Sequence, residues 1–215
     1  MVKQIEELTA GIRQHFDLLD EGREKAYNLS RQVVRAASTC IKSAHRQEFE
    51  ESRTLLAETA DLTGQMLGAL EGCDELRWGG FVSDAQKEYA EAAITLAAIT
   101  DAPLPGPGDL QIDGAAWLNG LAEAAGEFRR HVLDLIRRDQ IERAERFLDI
   151  MDDIYHITMS FDYPNAISLG LRGRSDAVRG FVERTRGDMT AALRQKRLEE
   201  RLDRFEKHVV EDDGA

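Results

Sequence analysis

Four glutamates stand in pairs at helical spacing: Glu88 with Glu91, three apart, and Glu123 with Glu127, four apart. Residues at these separations share a side of an α-helix, so each pair presents two carboxylates together. The apolar face around the first pair centres near Ala85, Tyr89, Ala92 and Leu96. At 100° per residue, Glu88 lies about 70° and Glu91 about 130° from that centre. Glu127 flanks the apolar stripe of its own segment, while Glu123 points further away, beside the small residues Gly120 and Ala124. Two such helices packed side by side would bring four carboxylates together. Close carboxylates repel unless they share protons or bind a divalent cation, and oxygen-rich sites of this kind suit Mg²⁺ or Mn²⁺. A chain with 40 acidic residues also places many such pairs by chance. Spacing alone therefore leaves a metal site and a solvated helix face both open.

Other chemistries find little support. Gly106-Pro107-Gly108 has prolines where a phosphate-binding loop needs free backbone amides, and no lysine follows. Cys40 and Cys73 form neither a zinc cluster nor a disulfide framework. A carboxylate-bridged metal centre in a four-helix bundle would want Glu-x-x-His on two helices. The chain offers Glu127 with His131, four apart, and Asp153 with His156, with Asp in place of Glu. These histidines read better as surface or hydrogen-bonded residues than as ligands.

Charge narrows the classes further. Forty acids against 28 bases give a formal net charge of −12, which excludes a general basic coat for nucleic acid but permits a local basic patch. Lysine occurs only at Lys3, Lys25, Lys42, Lys87, Lys196 and Lys207, and acid-rich, lysine-poor composition suits a salt-rich cytoplasm. No apolar run approaches the length of a membrane span, and the N-terminus lacks the apolar core of a signal peptide. The expectation is a cytoplasmic protein with reduced cysteines and no membrane partner.

The elements that would carry the carboxylates read as helices nearly throughout, with no strand-like alternation, so the fold class is all-α. Residues 1–215 read as a single domain. Ile5, Leu8, Ile12, Phe16 and Leu19, then Ala26 to Ala44, mark a first helix that runs long or breaks gently near Gly22. A second begins near Phe49 and ends near Gly72; a third begins near Phe81. The Pro- and Gly-rich segment 101–112 is an internal loop, because proline cannot continue a helix. Asp113 caps the next helix, and Asp139 with Glu142 forms a candidate capping box for the one after. Asp162-Tyr163-Pro164-Asn165 is a turn. From about Ser175 a last helix runs into a seam of Leu198, Leu202, Phe205 and Val209, which packs either within the chain or against a second one. Residues 208–215 read as a frayed acidic tail.

With these elements in place, three stretches become recognisable: Lys87-Glu88-Tyr89-Ala90-Glu91-Ala92, the run Trp117 to Arg130 that contains Glu123 and Glu127, and Leu171-Arg172-Gly173-Arg174-Ser175-Asp176-Ala177-Val178-Arg179 followed by Glu183, Gly187 and Asp188. Together they resemble the translin family, and within it translin-associated factor X and its archaeal homologues, over roughly residues 5–190. The resemblance implies an antiparallel bundle of about seven helices that assembles into a closed, hollow homo-oligomer, a hexamer or octamer. It implies binding of single-stranded RNA, with single-stranded DNA as a second ligand. In the factor X branch it implies an Mg²⁺- or Mn²⁺-dependent endoribonuclease whose metal-holding, catalytic carboxylates fall on Glu88, Glu91, Glu123 and Glu127. The position of Glu123 is more usually Asp in that branch, and the extra methylene shifts the reach of the carboxylate. Arg129, Arg130, Arg137, Arg138, Arg172, Arg174 and Arg179 are the candidates for holding the phosphate backbone. Several of them fit an intramolecular pair equally well, such as Arg179 with Glu183. Tyr89 and Trp117 could stack on bases but sit on core stripes. Two other readings stay open: a non-catalytic single-stranded nucleic-acid binder of translin type, and a helical scaffold.

Overall fold

The computed structural model describes the backbone of residues 1–212 and side chains as far as Lys207. Eight α-helices follow in order: α1 (Val2–His45), α2 (Phe49–Gly68), α3 (Gly80–Ile99), α4 (Pro107–Leu110), α5 (Gly114–Ile136), α6 (Ile141–Met159), α7 (Asn165–Ser168) and α8 (Leu171–Asp212). A 3₁₀ turn at Asp74–Leu76 lies between α2 and α3, and no strand occurs among the described residues. Two of the eight are single turns, so six long helices build the bundle. No helix among the described residues is long and apolar enough to cross a membrane.

Two cores meet along α3. One joins α1, α2 and α3 through Ala26, Val33, Met66, Leu70, Val82 and Tyr89. The larger joins α3 to α5, α6 and α8 through Ile94, Phe128, Leu135, Met151 and Val178, with the end of α1 packed in. The helix shared by both cores is buried on most sides; Ala90, Ala92, Ala93 and Ala97 keep its profile small enough for neighbours to come close.

Against α5 the approach is closest at Gly120. A Cβ there would lie 2.6 Å from the Ala90 Cβ, 2.7 Å from the Lys87 carbonyl oxygen and 3.0 Å from the Glu91 amide nitrogen. Backbone occupies most of that space, so only glycine fits. The contact sets α5 beside the turn of α3 that carries Glu88 and Glu91.

Several expectations shift in detail. Helix α1 passes Gly22 without a break, and that glycine instead makes room for the Cys73 thiol, whose Sγ would lie 3.0 Å from an added Cβ. Helix α2 ends at Gly68, and Gly72 (φ +79°) sits in the turn beyond it. Asp113 occupies the cap position of α5, its N–H donating to Gln86 Oε1 at 3.0 Å. Asp139 does not cap α6: it adopts a left-handed φ of 56°, the cap passes to Gln140, and its carboxylate pairs with Lys196 at 3.2 Å. The loop 101–112 contains the single turn α4, with Pro107 at its start and Asp109 accepting from the Gly106 N–H. The last helix begins at Leu171, one turn before Ser175, and Leu198, Leu202 and Phe205 along it are exposed. Val209 and the tail expected over 208–215 lie outside the described side chains.

The Gly120 contact gives a direct test by thermal unfolding. Gly120→Ala should cost about 1–3 kcal/mol, the usual effect of overpacking a filled space. Gly64→Ala, in α2 with nothing within 4 Å of the added carbon, should instead gain about 0.5–1 kcal/mol.

Candidate metal centre

At the α3–α5 contact, Glu88, Glu91 and Glu123 each point one carboxylate oxygen into a common space, with these atoms within 4.8 Å of one another. Glu91 is the most enclosed of the three. The expected fourth acid, Glu127, lies one turn further along α5 and is not in this triad. Its Oε2 is 2.5 Å from His45 Nε2, at the end of α1, and 3.7 Å from Arg130. The hydrogen bond from His45 holds Glu127 below the usual carboxylate range, against the opposing pull of burial. His45 is itself buried, and its Nδ1 has no partner.

Two cations hold Glu123. Lys87 Nζ lies 2.9 Å from Oε2 and 3.0 Å from Oε1, and also 3.3 Å from Glu88. Arg174, at the start of α8, reaches Oε1 through Nε at 2.7 Å. The same arginine donates to Asn119 Oδ1 and to the Leu169 carbonyl, both at 3.0 Å. Asn119 in turn donates to the Ser168 carbonyl at 2.9 Å. A continuous set of hydrogen bonds thus ties the acidic turn of α5 to the α7–α8 junction. Burial works against charge on Lys87, but Glu123 and Glu88 outweigh it and raise its pKa.

Glu91 has no such partner. Burial, then the neighbouring charges of Glu88, Glu123 and Glu127, push its pKa up to about 8, against the smaller opposing influence of Lys87. A carboxylic acid held neutral beside two carboxylates is a site short of positive charge. The donor set is hard oxygen, as Mg²⁺ and Mn²⁺ prefer. An octahedral Mg²⁺ spans up to about 4.2 Å between opposite ligand oxygens, so spacings within 4.8 Å close with a small side-chain shift. The residues fit a divalent ion.

The arginines expected to hold phosphate are dispersed. Arg129 clips α5 to α8 through Thr185 and Asp188, both at 2.9 Å. Arg137 pairs with Asp134 at 3.5 Å, Arg172 with Asp162 at 3.8 Å, and Arg179 with Glu183 at 2.9 Å. Arg138 is exposed at the end of α5. Only Arg130 and Arg174 touch the expected carboxylates. Tyr89 is a core residue, and Trp117 donates its indole N–H to the Pro105 carbonyl at 2.9 Å. His131 packs on Phe147, with burial and then His45 lowering its pKa to about 4, and exposed His156 lies 3.9 Å from Asp152. Sequence reasoning missed Lys87 and His45. Lys87 stands next to Glu88 in sequence, which is a usable signal; His45 is 82 residues from Glu127, and no local pattern connects them.

No family model matches the chain. It is 30% identical over 189 residues to an uncharacterized protein of Methanocaldococcus jannaschii, across 87% of this chain and 83% of that one. Among solved structures it is similar to AfC3PO in a complex with duplex RNA, with a TM-score of 0.73 and 30% identity over 85% of this chain and 95% of that one. A crystal structure of AfC3PO matches at TM-score 0.65 and 30% identity, over 88% and 93% of the two chains. Apo-NeC3PO matches at TM-score 0.76 over 85% and 96%, and at 17% identity it speaks for the fold alone.

The raised pKa of Glu91 has a stability consequence in metal-free protein. The folded state keeps a proton that the unfolded chain releases near pH 4.5, so this group lowers stability as pH rises from about 4.5 to about 8. His131, depressed to about 4, acts in the opposite sense as pH rises towards its ordinary value. The readout is therefore a difference. In EDTA, the melting temperature of Glu91→Gln minus that of the native chain should grow from pH 5 to pH 8; a difference independent of pH would count against the assigned environment.

Proposed function

The chain belongs to the translin family and is related to archaeal C3PO-type proteins, and from that premise we propose that it is a metal-dependent endoribonuclease of the factor X branch, acting on single-stranded RNA within a closed homo-oligomer in the cytoplasm. The observation that carries this reading is the convergence of Glu88, Glu91 and Glu123 from two helices onto one space, with Glu127 set beside it by His45. Glu88, Glu91 and Glu123 would hold Mg²⁺ or Mn²⁺. When bound, such an ion supplies Lewis-acid chemistry, lowering the pKa of water and offsetting the charge that builds on a phosphate in hydrolysis.

The chain's own groups divide the remaining work. Glu127, kept anionic by His45, is a fixed acceptor for a proton from the attacking water. Its partner prevents the carboxylate from swinging into the triad. Lys87 and Arg174 neutralise Glu123 in the absence of the ion and stand next to the place a phosphate would occupy. Arg130 and Arg174 are the phosphate-contact candidates nearest the cut; Arg129, Arg137, Arg138, Arg172 and Arg179 would contact RNA only further along its path. The exposed apolar stripes Ile5, Leu8, Ile12 and Phe16 on α1, and Leu198, Leu202 and Phe205 on α8, support assembly into a hexamer or octamer, since nothing among the described residues covers them.

A second reading has a specific observation in its favour. Glu123 replaces the more usual, shorter Asp, and both its oxygens are already engaged by cations. A chain held in that state would bind RNA without cutting it.

Cleavage of end-labelled RNA separates the two. With Mg²⁺ or Mn²⁺, single-stranded RNA should be cut internally, and EDTA should abolish the cuts. At matched oligomeric state, Glu91→Gln and Glu127→Ala should each reduce the rate by at least a hundredfold. Intact RNA that is still retarded by the protein would establish the non-catalytic binder. A duplex RNA arm belongs in the same assay, because AfC3PO was solved with duplex RNA.

A further inference from the structure

A groove of about 490 Å³ lies between α1 and α3, and the residues that line it belong to these two helices. Its α1 wall carries Arg31, Arg35, Ser38 and Lys42, at steps of four, three and four, hence on one face of the helix. Its α3 wall carries Phe81 and Asp84. Arg31, Arg35 and Lys42 are exposed. Among the described residues none of the three has a carboxylate within ion-pair distance, unlike six of the seven arginines discussed above. Three cations without an ion pair thus share one helix face and line one groove, in a chain of net charge −12.

The direction of the groove matters as much as its charge. On α1, Lys42 is followed one turn later by His45, which bonds Glu127. On α3, Phe81 and Asp84 are followed at steps of four and three by Glu88 and Glu91. Both walls therefore lead to the acidic cluster. Arg31 to His45 spans 14 residues, about 21 Å of helix at 1.5 Å per residue.

We infer that Arg31, Arg35 and Lys42 form the track along which the phosphate backbone of a single-stranded RNA approaches the carboxylates, with Phe81 as an apolar rest beside it. The inference deepens the nuclease reading and rests on its choice of substrate. It needs no metal, because the cations contact phosphate directly. Asp84 opposes like charge on the other wall, which keeps the strand on the α1 side. Phosphate contacts position a strand without reading its sequence, so the track should take RNA and DNA alike.

The experiment is fluorescence anisotropy with a labelled single-stranded RNA, and the same sequence as DNA, in EDTA over a range of NaCl concentrations. It compares the native protein with a variant carrying Arg31→Gln, Arg35→Gln and Lys42→Gln. A control of equal charge change carries Arg53→Gln, Arg77→Gln and Arg146→Gln. Each phosphate neutralised on a single strand contributes about 0.7 to the slope of log K against log salt, so the groove variant should lose about 2 from that slope. Its affinity at low salt should fall at least tenfold for both nucleic acids, while its affinity for Mn²⁺, measured by calorimetry, stays unchanged. An unchanged slope and affinity would overturn the track and leave the nuclease reading standing. An equal loss in the control would also overturn it, assigning the effect to net charge. A loss confined to RNA would overturn the phosphate-only basis. If the native protein binds neither nucleic acid, both the track and the nuclease reading fall.

Discussion

Gly120 has no side chain, and because it has none, the Lys87 carbonyl, the Ala90 methyl and the Glu91 amide of α3 can lie against α5. That approach sets the separation of two helices whose facing turns carry carboxylates. Glu123, one turn along α5 from Gly120, meets Lys87 of α3 at 2.9 Å across that contact. Ala90 on the facing helix has the same role in smaller measure, since any larger side chain there would meet Gly120 first. The packing requirement and the chemical requirement therefore coincide at one turn of helix.

Bringing like charges together has an electrostatic cost, which is visible in how each acid is treated. Glu123 is held by Lys87 and Arg174, and Glu127 by His45. Glu88 takes a share of Lys87, and Glu91, with no cation of its own, keeps its proton up to about pH 8. Each response is the least costly available at its depth: ion pairing where a long basic side chain can reach, protonation where none can. The same arrangement prepares the site for a cation, because the neutral Glu91 and the Lys87 ammonium occupy the states a divalent ion would replace. Helix-borne ligands with a second layer of fixed partners, here Asn119, Arg174 and the Ser168 and Leu169 carbonyls, keep the geometry without help from an ion.

The parts of this arrangement that one helix can specify were legible in the sequence. Glu88 with Glu91 and Glu123 with Glu127 are local patterns that helical spacing alone displays. The proline-rich break at 101–112 and the cap position of Asp113 are local as well. What joins the pairs is not local. His45 meets Glu127 across 82 residues, and Arg174 meets Glu123 across 51, so neither contact leaves a mark on spacing. Asp139 shows the limit of a short motif: Asp followed three residues later by Glu fits a capping box, yet it equally fits a left-handed turn residue that pairs with Lys196. The basic face of α1 was hidden for a different reason. Arg31, Arg35 and Lys42 follow at steps of four and seven, which share a helix face, but only the fold shows that they lack ion-pair partners and that they line one groove.

At the α3–α5 contact, Glu88, Glu91 and Glu123 together offer a place that a divalent ion could take. Crystals soaked in Mn²⁺ and measured near the manganese absorption edge test it most directly. An ion held there gives an anomalous peak between those three carboxylates, with the Lys87 ammonium withdrawn from Glu123. A peak elsewhere, or full binding of Mn²⁺ with Lys87 still in contact with Glu123 and none at the cluster, would contradict it.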